Sequence, residues 1–600
     1  MKKISRRSFL AVCGAMAATA ALTACGGSSS STADSSTSSE SSASDSAAAD
    51  SSDASSEAED LKESELVTLN IVTMSSGKEE SGIAQVEEAM DKILEEKFNV
   101  NVKLSFLPYS SYADQISLML SSGEGVDLLP VYMVNYTACA DSGQLYPMDD
   151  LIEEYGQGII EQLGWDNINC GRVGGELFGL TQGRDLAASQ GFEYRLDLAE
   201  KYNLDMDSVK TLEDLHDVLV TIKENEENCW PVAVSAGENI RNWGWDSLGD
   251  EMVNLGVLSD MATDTTVVNL YETEQYKNLV TTMYNWMQEG LIQADAVNTT
   301  ETATTLQDAG TAFGSFVNLK PYYAEENNAN LQNPIGTVEL IPALASTDRV
   351  TMALWSIAGS CEHPEAAMKT LNELYSNPEL SNLYMYGIEG VHYEVIEEGA
   401  VTNGQDRINY PDGVDATTTT YRKSGTWLMP NQFIGDIWGT DLPADYWDAT
   451  KTFNEESQKS AAFGFSFDAT QVANEITACT NVVNKYHKAL VCGALDPETT
   501  LPQFNSELKD AGIDAIIEEK QAQLDAWLAE QKEFTSQLDL KKLERDSFQL
   551  PCENPCLFPE REKGMGVYRE MTLLYMPMFF WKISTEQDEN RLKGVSNYAE

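Results

Sequence analysis

The sequence has few of the residues that build metal centres and little positive charge. Only four histidines occur in 600 residues (His216, His363, His392 and His487), none at ligand spacing, and no CxxC pair is present. Nothing in the spacing encodes a Cys/His zinc site, and neither metal nor cofactor is expected. Lys and Arg number 39 against 96 Asp and Glu, a formal net charge of −57. Such a chain repels nucleic-acid phosphates and anionic lipid headgroups, so nucleic acid is excluded as a partner. Past the first residues, no uninterrupted apolar run is long enough to span a bilayer. GxSxG and HExxH are both missing, which removes two hydrolase signatures. The ten cysteines are widely scattered and leave every pairing open.

What is present begins with a leader. Lys2, Lys3, Arg6 and Arg7 precede the apolar stretch Phe9 to Thr23, and Leu22-Thr23-Ala24-Cys25-Gly26 resembles a bacterial lipobox. A charged head, a short apolar run and a small-residue cleavage site define a secretory signal. The lipobox implies that residues 1–25 are a lipoprotein signal, with Cys25 lipidated on the outer face of the cytoplasmic membrane. Ser5-Arg6-Arg7-Ser8-Phe9-Leu10 also resembles a twin-arginine export signal. Residues 26–65 are almost wholly Ser, Ala, Asp, Thr, Glu and Gly. Without apolar period or aromatics they are expected to stay disordered as a spacer.

The body opens with an alternation of strand and helix. Val67 to Val72 alternates as a strand, and Ile83, Val86, Met90 and Leu94 recur at helical spacing. Val100, Val102, Leu104 and Phe106 alternate again, Tyr112 to Leu120 reads as a helix, and Val126 to Tyr132 as a buried strand. This order predicts a parallel α/β sheet covered on both faces, with its ligand crevice at the strand carboxyl ends.

The series of elements, followed by Gly143-Gln144-Leu145-Tyr146-Pro147-Met148-Asp149-Asp150-Leu151, resembles the solute-binding proteins of ABC importers, in their carbohydrate-type branch. Leu177-Phe178-Gly179-Leu180-Thr181, Phe192 to Leu198, Thr211-Leu212-Glu213-Asp214-Leu215 and Leu354-Trp355-Ser356-Ile357-Ala358 extend the likeness in order. Tyr386 to Tyr393, Tyr410-Pro411-Asp412-Gly413, Trp427 and Asn431-Gln432-Phe433 resemble the C-terminal region of LipO-type lipoproteins. The resemblance implies a two-lobed, periplasmic-binding-protein-like α/β fold with an interlobe cleft and a hinge. It places the first lobe at 66–180 plus 345–383 and the second at 181–344 plus 384–532. It implies a monomeric, non-enzymatic receptor that closes on a small solute, expected to be a carbohydrate, and delivers it to the permease subunits of an importer.

Sugars present apolar C–H faces ringed by hydroxyls, so the expected contacts are aromatic platforms with amides and charged groups beside them. The aromatic candidates are Tyr109, Tyr136, Trp243, Trp245 and Trp355. Ser75, Ser76, Asn135, Gln182, Arg184, Asp246 and Asn318 stand in loops after strands or in the hinge. Arg184 with Asp185 also reads as a structural ion pair. Two other readings stay open, a glycoside hydrolase using a carboxylate pair and a receptor for peptides or other solutes. Residues 533–600, with Pro551 to Cys556 and the Pro-interrupted apolar run Met571 to Trp581, do not fit the family. They are expected to be foreign to the fold, as a frame error or fused reading would be.

Overall fold

The computed structural model describes residues 66–75, 81–235, 240, 242–250, 253–329, 331–421 and 426–548. The leader with Cys25, the spacer, Ser76 and residues 549–600 lie outside the described residues, as does the side chain of Ser75. In chain order the strands of the two main sheets are β1 (Val67–Ser75), β2 (Val100–Pro108), β3 (Leu128–Val131), β4 (Ala188–Arg195), β5 (Trp230–Val232), β6 (Ala312–Leu319), β7 (Ile335–Ala345), β8 (Leu354–Ile357) and β9 (Gln458–Lys459).

The first sheet has the order β8-β3-β1-β2. β1 pairs in parallel with β2 and β3, and β8 returns antiparallel to β3. Successive side chains of a strand point to opposite faces, and both faces of β1 are buried. Leu69 and Ile71 join one core, where α1 (Ile83–Phe98) contributes Val86, Met90 and Leu94. Val72 and Met74 join another, with Tyr112, Ile116 and Leu120 of α2 (Tyr112–Ser122). α2 stops at Gly123, whose φ of +69° is open to glycine at little cost. Asn135 caps the short α3 (Tyr136–Asp141), accepting a hydrogen bond from the Ala138 N–H.

The second sheet has the order β9-β7-β4-β6-β5. This sheet differs from the first, because β4 is antiparallel to both β6 and β7. The cause is the hinge. β4 begins just after the chain leaves the first lobe and runs away from it, whereas β7 runs back toward the return crossover. α4 (Leu212–Asn225) starts at Thr211 with a full capping box, as the Thr-x-x-Asp spacing anticipates. α5 (Glu274–Gln288) buries Tyr276, Leu279, Val280 and Met283. α6 (Thr347–Thr351) occupies the return crossover. Three C-terminal helices, α7 (Ala473–Val491), α8 (Pro497–Ala511) and α9 (Ile513–Phe548), share the second lobe's core through Cys479, Val483, Phe504 and Ile516. α9 passes through the boundary drawn at 532.

The lobe limits need one correction. Residues 384–429 were expected in the second lobe, yet Tyr384, Met385, Tyr386, Tyr393, Ile408, Tyr421 and Met429 are buried in the first lobe's core. The helix Pro378–Tyr386 continues the packing of Pro364–Ser376, so the chain stays with the first lobe. It crosses back only before β9, which pairs in parallel with β7. Three segments therefore link the lobes, near 181–187, 346–353 and 430–457.

Candidate functional site

The crossovers identify which edge of each sheet faces the other lobe. In the first lobe it is the carboxyl end of β1, β2 and β3. Two large side chains are exposed there, Tyr109 just after β2 and Met133 just after β3, at 54% and 50%. In the second lobe it is the edge where β4 begins and β6 and β7 end. A small cavity of about 20 Å³ lies on that edge, lined by Gln190, Asn242, Trp245, Asn318, Asp348 and Arg349 among others. It has room for about one water molecule, so a larger ligand would rest across its mouth.

A polar path runs from this edge to the first lobe through the hinge. Arg184 Nε lies 3.0 Å from Asp185 Oδ1, and Arg349 approaches the other oxygen at 3.6 Å. Burial pushes the Asp185 pKa up, but the two guanidiniums outweigh it and hold the carboxyl below its ordinary range. The Arg184 guanidinium also sits 5.9 Å from the Trp427 ring centroid, close enough for a cation–π contact. Trp427 meets Tyr132 edge-to-face at 5.3 Å. Both rings are half-buried, leaving aromatic surface next to fixed charge.

The expected site residues divide sharply. Tyr109, Asn135 and Asn318 stand at cleft-facing ends, and Asn135 Nδ2 reaches Asp468 Oδ1 of the second lobe at 3.3 Å. Arg184 is in the hinge as an ion pair, and Gln182 beside it is buried, donating to the carbonyls of Trp427 and Met429. Trp355 was expected as a platform and is instead a core residue. It is fully buried on β8, with its indole N–H donated to the Leu428 carbonyl at 2.9 Å. Tyr136 is likewise buried and bonded to the Gly171 carbonyl. Trp245 is 1% exposed and donates to Asn254 Oδ1. Asp246 is fully buried, accepting the N–H and hydroxyl of Thr347 at 3.0 and 2.6 Å. All four are buried and hydrogen-bonded, and of them only Trp245 borders the small cavity.

Trp243 points elsewhere. It packs edge-on against Phe316 and lines an open groove of about 760 Å³ with His216, Trp286, Asn285 and Ile341. The sequence pass missed Tyr132, Gln190, Asn242, Asp348 and Arg349, and it read Trp427 only as a subfamily marker. Their one signal was position: Gln190 and Arg349 follow crossovers, and Tyr132 ends a strand. His487 is half-buried. Its Nδ1 lies 2.8 Å from the Tyr276 hydroxyl, and burial pushes its pKa down to about 4.

Two family models match the chain. Residues 81–379 match the bacterial extracellular solute-binding proteins, and residues 461–529 match a domain of unknown function, DUF3502. The chain belongs to the bacterial extracellular solute-binding family. A carbohydrate ABC transporter substrate-binding protein of Streptococcus pneumoniae is 27% identical over 461 residues, covering 76% of this chain and 90% of that one. Lipoprotein LipO of Bacillus subtilis is 22% identical over 52% of this chain and 65% of its own. The crystal structure of the N-glycan transport solute-binding protein NgtS from S. pneumoniae aligns with TM-score 0.68 at 25% identity, over 77% of this chain and 99% of that one. Its complexes with Man1GlcNAc and Man5GlcNAc align with TM-scores of 0.60 and 0.57 over the same share. Among the described residues, no helix is long and apolar enough to cross a membrane.

Proposed function

We propose that this protein is a lipid-anchored, extracytoplasmic receptor that captures an oligosaccharide between its lobes. It works as a monomer and hands the sugar to the permease subunits of an ABC importer without chemical change. The observation that carries this reading is the likeness to NgtS, which covers 77% of this chain and 99% of that protein. The cleft chemistry supports it: Tyr109, Tyr132 and Trp427 offer aromatic faces, while Gln190, Asn242, Asn318 and Arg349 offer fixed donors and acceptors. Capture between the lobes implies their closure around the ligand, a population shift driven by contacts made only when closed.

The hydrolase alternative asks for a carboxyl able to donate a proton beside a second carboxylate. Asp185 is held ionised by Arg184 and Arg349, which suits it to accept hydrogen bonds and not to act as an acid. The test is calorimetry with Man1GlcNAc and Man5GlcNAc, together with product analysis after long incubation. Saturable binding with the glycan recovered intact is expected. Cleaved product, or no binding of either glycan, would reject the reading.

A further inference from the structure

Lys520, in the middle of α9, is the most unusual charge among the described residues. Its side chain is 1% exposed, and its nearest carboxylate, Asp250, stands 3.9 Å away. A buried ammonium is costly unless its donors are satisfied. Here it donates to the carbonyls of Ser247 and Gly256 at 3.3 and 3.1 Å, and its ammonium also lies 5.2 Å from the Phe467 ring centroid.

Those two carbonyls lie just inside the neck of a loop. Asp246 and Leu258 exchange both backbone hydrogen bonds at 2.9 Å and close that neck. Within it Leu248 and Asn254 adopt φ of +57° and +49°. For a bulky residue such as Leu248 this region is unfavourable, so the surroundings must impose it. α9 does so with one face. Leu524, one turn beyond Lys520, packs against Leu248, Leu258 and Met261. Gln521 accepts from the Val267 N–H and donates to the Thr265 carbonyl.

The neck in turn builds the cleft wall. Asp246 fixes Thr347, the first residue of α6, and the Ser247 hydroxyl donates to Asp348. Asp348 and Arg349 line the cavity on the second lobe's cleft edge together with Trp245.

We propose that Lys520 is a positioning residue of the solute site, and that the C-terminal module at 461–529 serves to hold this cleft wall in its binding geometry. The proposal rests on the receptor reading above. Its test uses the full chain carrying Lys520→Met, with two readouts. In the ligand-free protein, exchange of the Leu248, Val257 and Leu258 amides is expected to accelerate at least tenfold while Leu69 and Ile71 in the first lobe keep wild-type rates. Affinity for Man5GlcNAc is expected to fall about tenfold. A residue that only stabilised the fold would lower the melting temperature and leave affinity untouched, and that result would overturn the proposal, as would unchanged exchange. Gln521→Ala, which leaves no charge unpaired, covers the case in which Lys520→Met does not fold. It is expected to shift both readouts the same way by two- to threefold, and wild-type values would overturn the proposal. If the wild-type protein binds neither glycan, the receptor reading fails, while the exchange comparison still decides whether α9 braces the wall.

Discussion

At the scale of the residue, burial separates tryptophans that the sequence makes look alike. Trp355 fills the first lobe's core, so Trp355→Ala is expected to cost about 3–5 kcal/mol of folding stability, measured by chemical denaturation. Trp427 is half-buried at the hinge and meets Tyr132 edge-to-face. Trp427→Ala is expected to weaken glycan binding about tenfold, about 1.4 kcal/mol, with a smaller loss of stability. Equal effects from the two variants on binding and folding would contradict this placement. His487 supplies a pH test. Its folded pKa of about 4 lies below the ordinary 6.5, so the unfolded chain takes up the proton first. The stability tied to this neutral imidazole is whole above pH 6.5 and is lost as pH falls toward 4, by at most about 1.4 kcal/mol per pH unit. His487→Gln keeps a partner for Tyr276 and is expected to flatten that acid limb in denaturation curves taken across this range.

At the scale of the element, local chemistry was legible wherever the signal is short-range. Thr211 and Asp214 announce the start of α4, and both reciprocal bonds form. Thr211→Ala is expected to remove about 1 kcal/mol of stability with no change in affinity, read from urea denaturation and calorimetry. The strands and helices of the first sheet were equally plain, because the strand residues alternate or run apolar and the helix residues recur along one buried face. The antiparallel β4 was not legible. Its side-chain pattern is the same whichever way it runs, and its direction follows from where the hinge delivers the chain. The Trp243-Gly244-Trp245 segment is a loop, as its central glycine anticipates. Which ring turns inward is decided by Asn254 and the cavity edge, contacts that no spacing encodes.

At the scale of the whole molecule, fold class and two-lobed plan could be read from the order of motifs. The assignment of 384–429 could not, since an accessory segment packs wherever the preceding helices leave an apolar face. Among the candidate contacts, Tyr109 and Asn135 follow strand ends and Asn318 sits near the end of β6, positions a sequence displays, while Arg349 and Trp427 come to this edge only through tertiary crossings. Membrane attachment belongs to this scale as well. The lipobox predicts that Cys25→Ala leaves the precursor unprocessed or releases the protein into the soluble fraction, checked by fractionation and mass spectrometry of the amino terminus. Wild-type processing and retention in that variant would remove the anchor.

The cysteines of the body carry one last consequence. Among the described residues, Cys139, Cys170, Cys361, Cys479 and Cys492 are buried and Cys229 is half-buried. Burial pushes the thiols of Cys170, Cys361 and Cys492 up to about 12. The reactive species is the thiolate, so these groups are chemically silent while the fold is shut. Outside the reducing cytoplasm, burial shields these sulfurs from oxidants while the fold holds. Alkylating reagents and oxidants reach these sulfurs only through transient openings, so the body's lifetime in an oxidising environment is set by how often it unfolds.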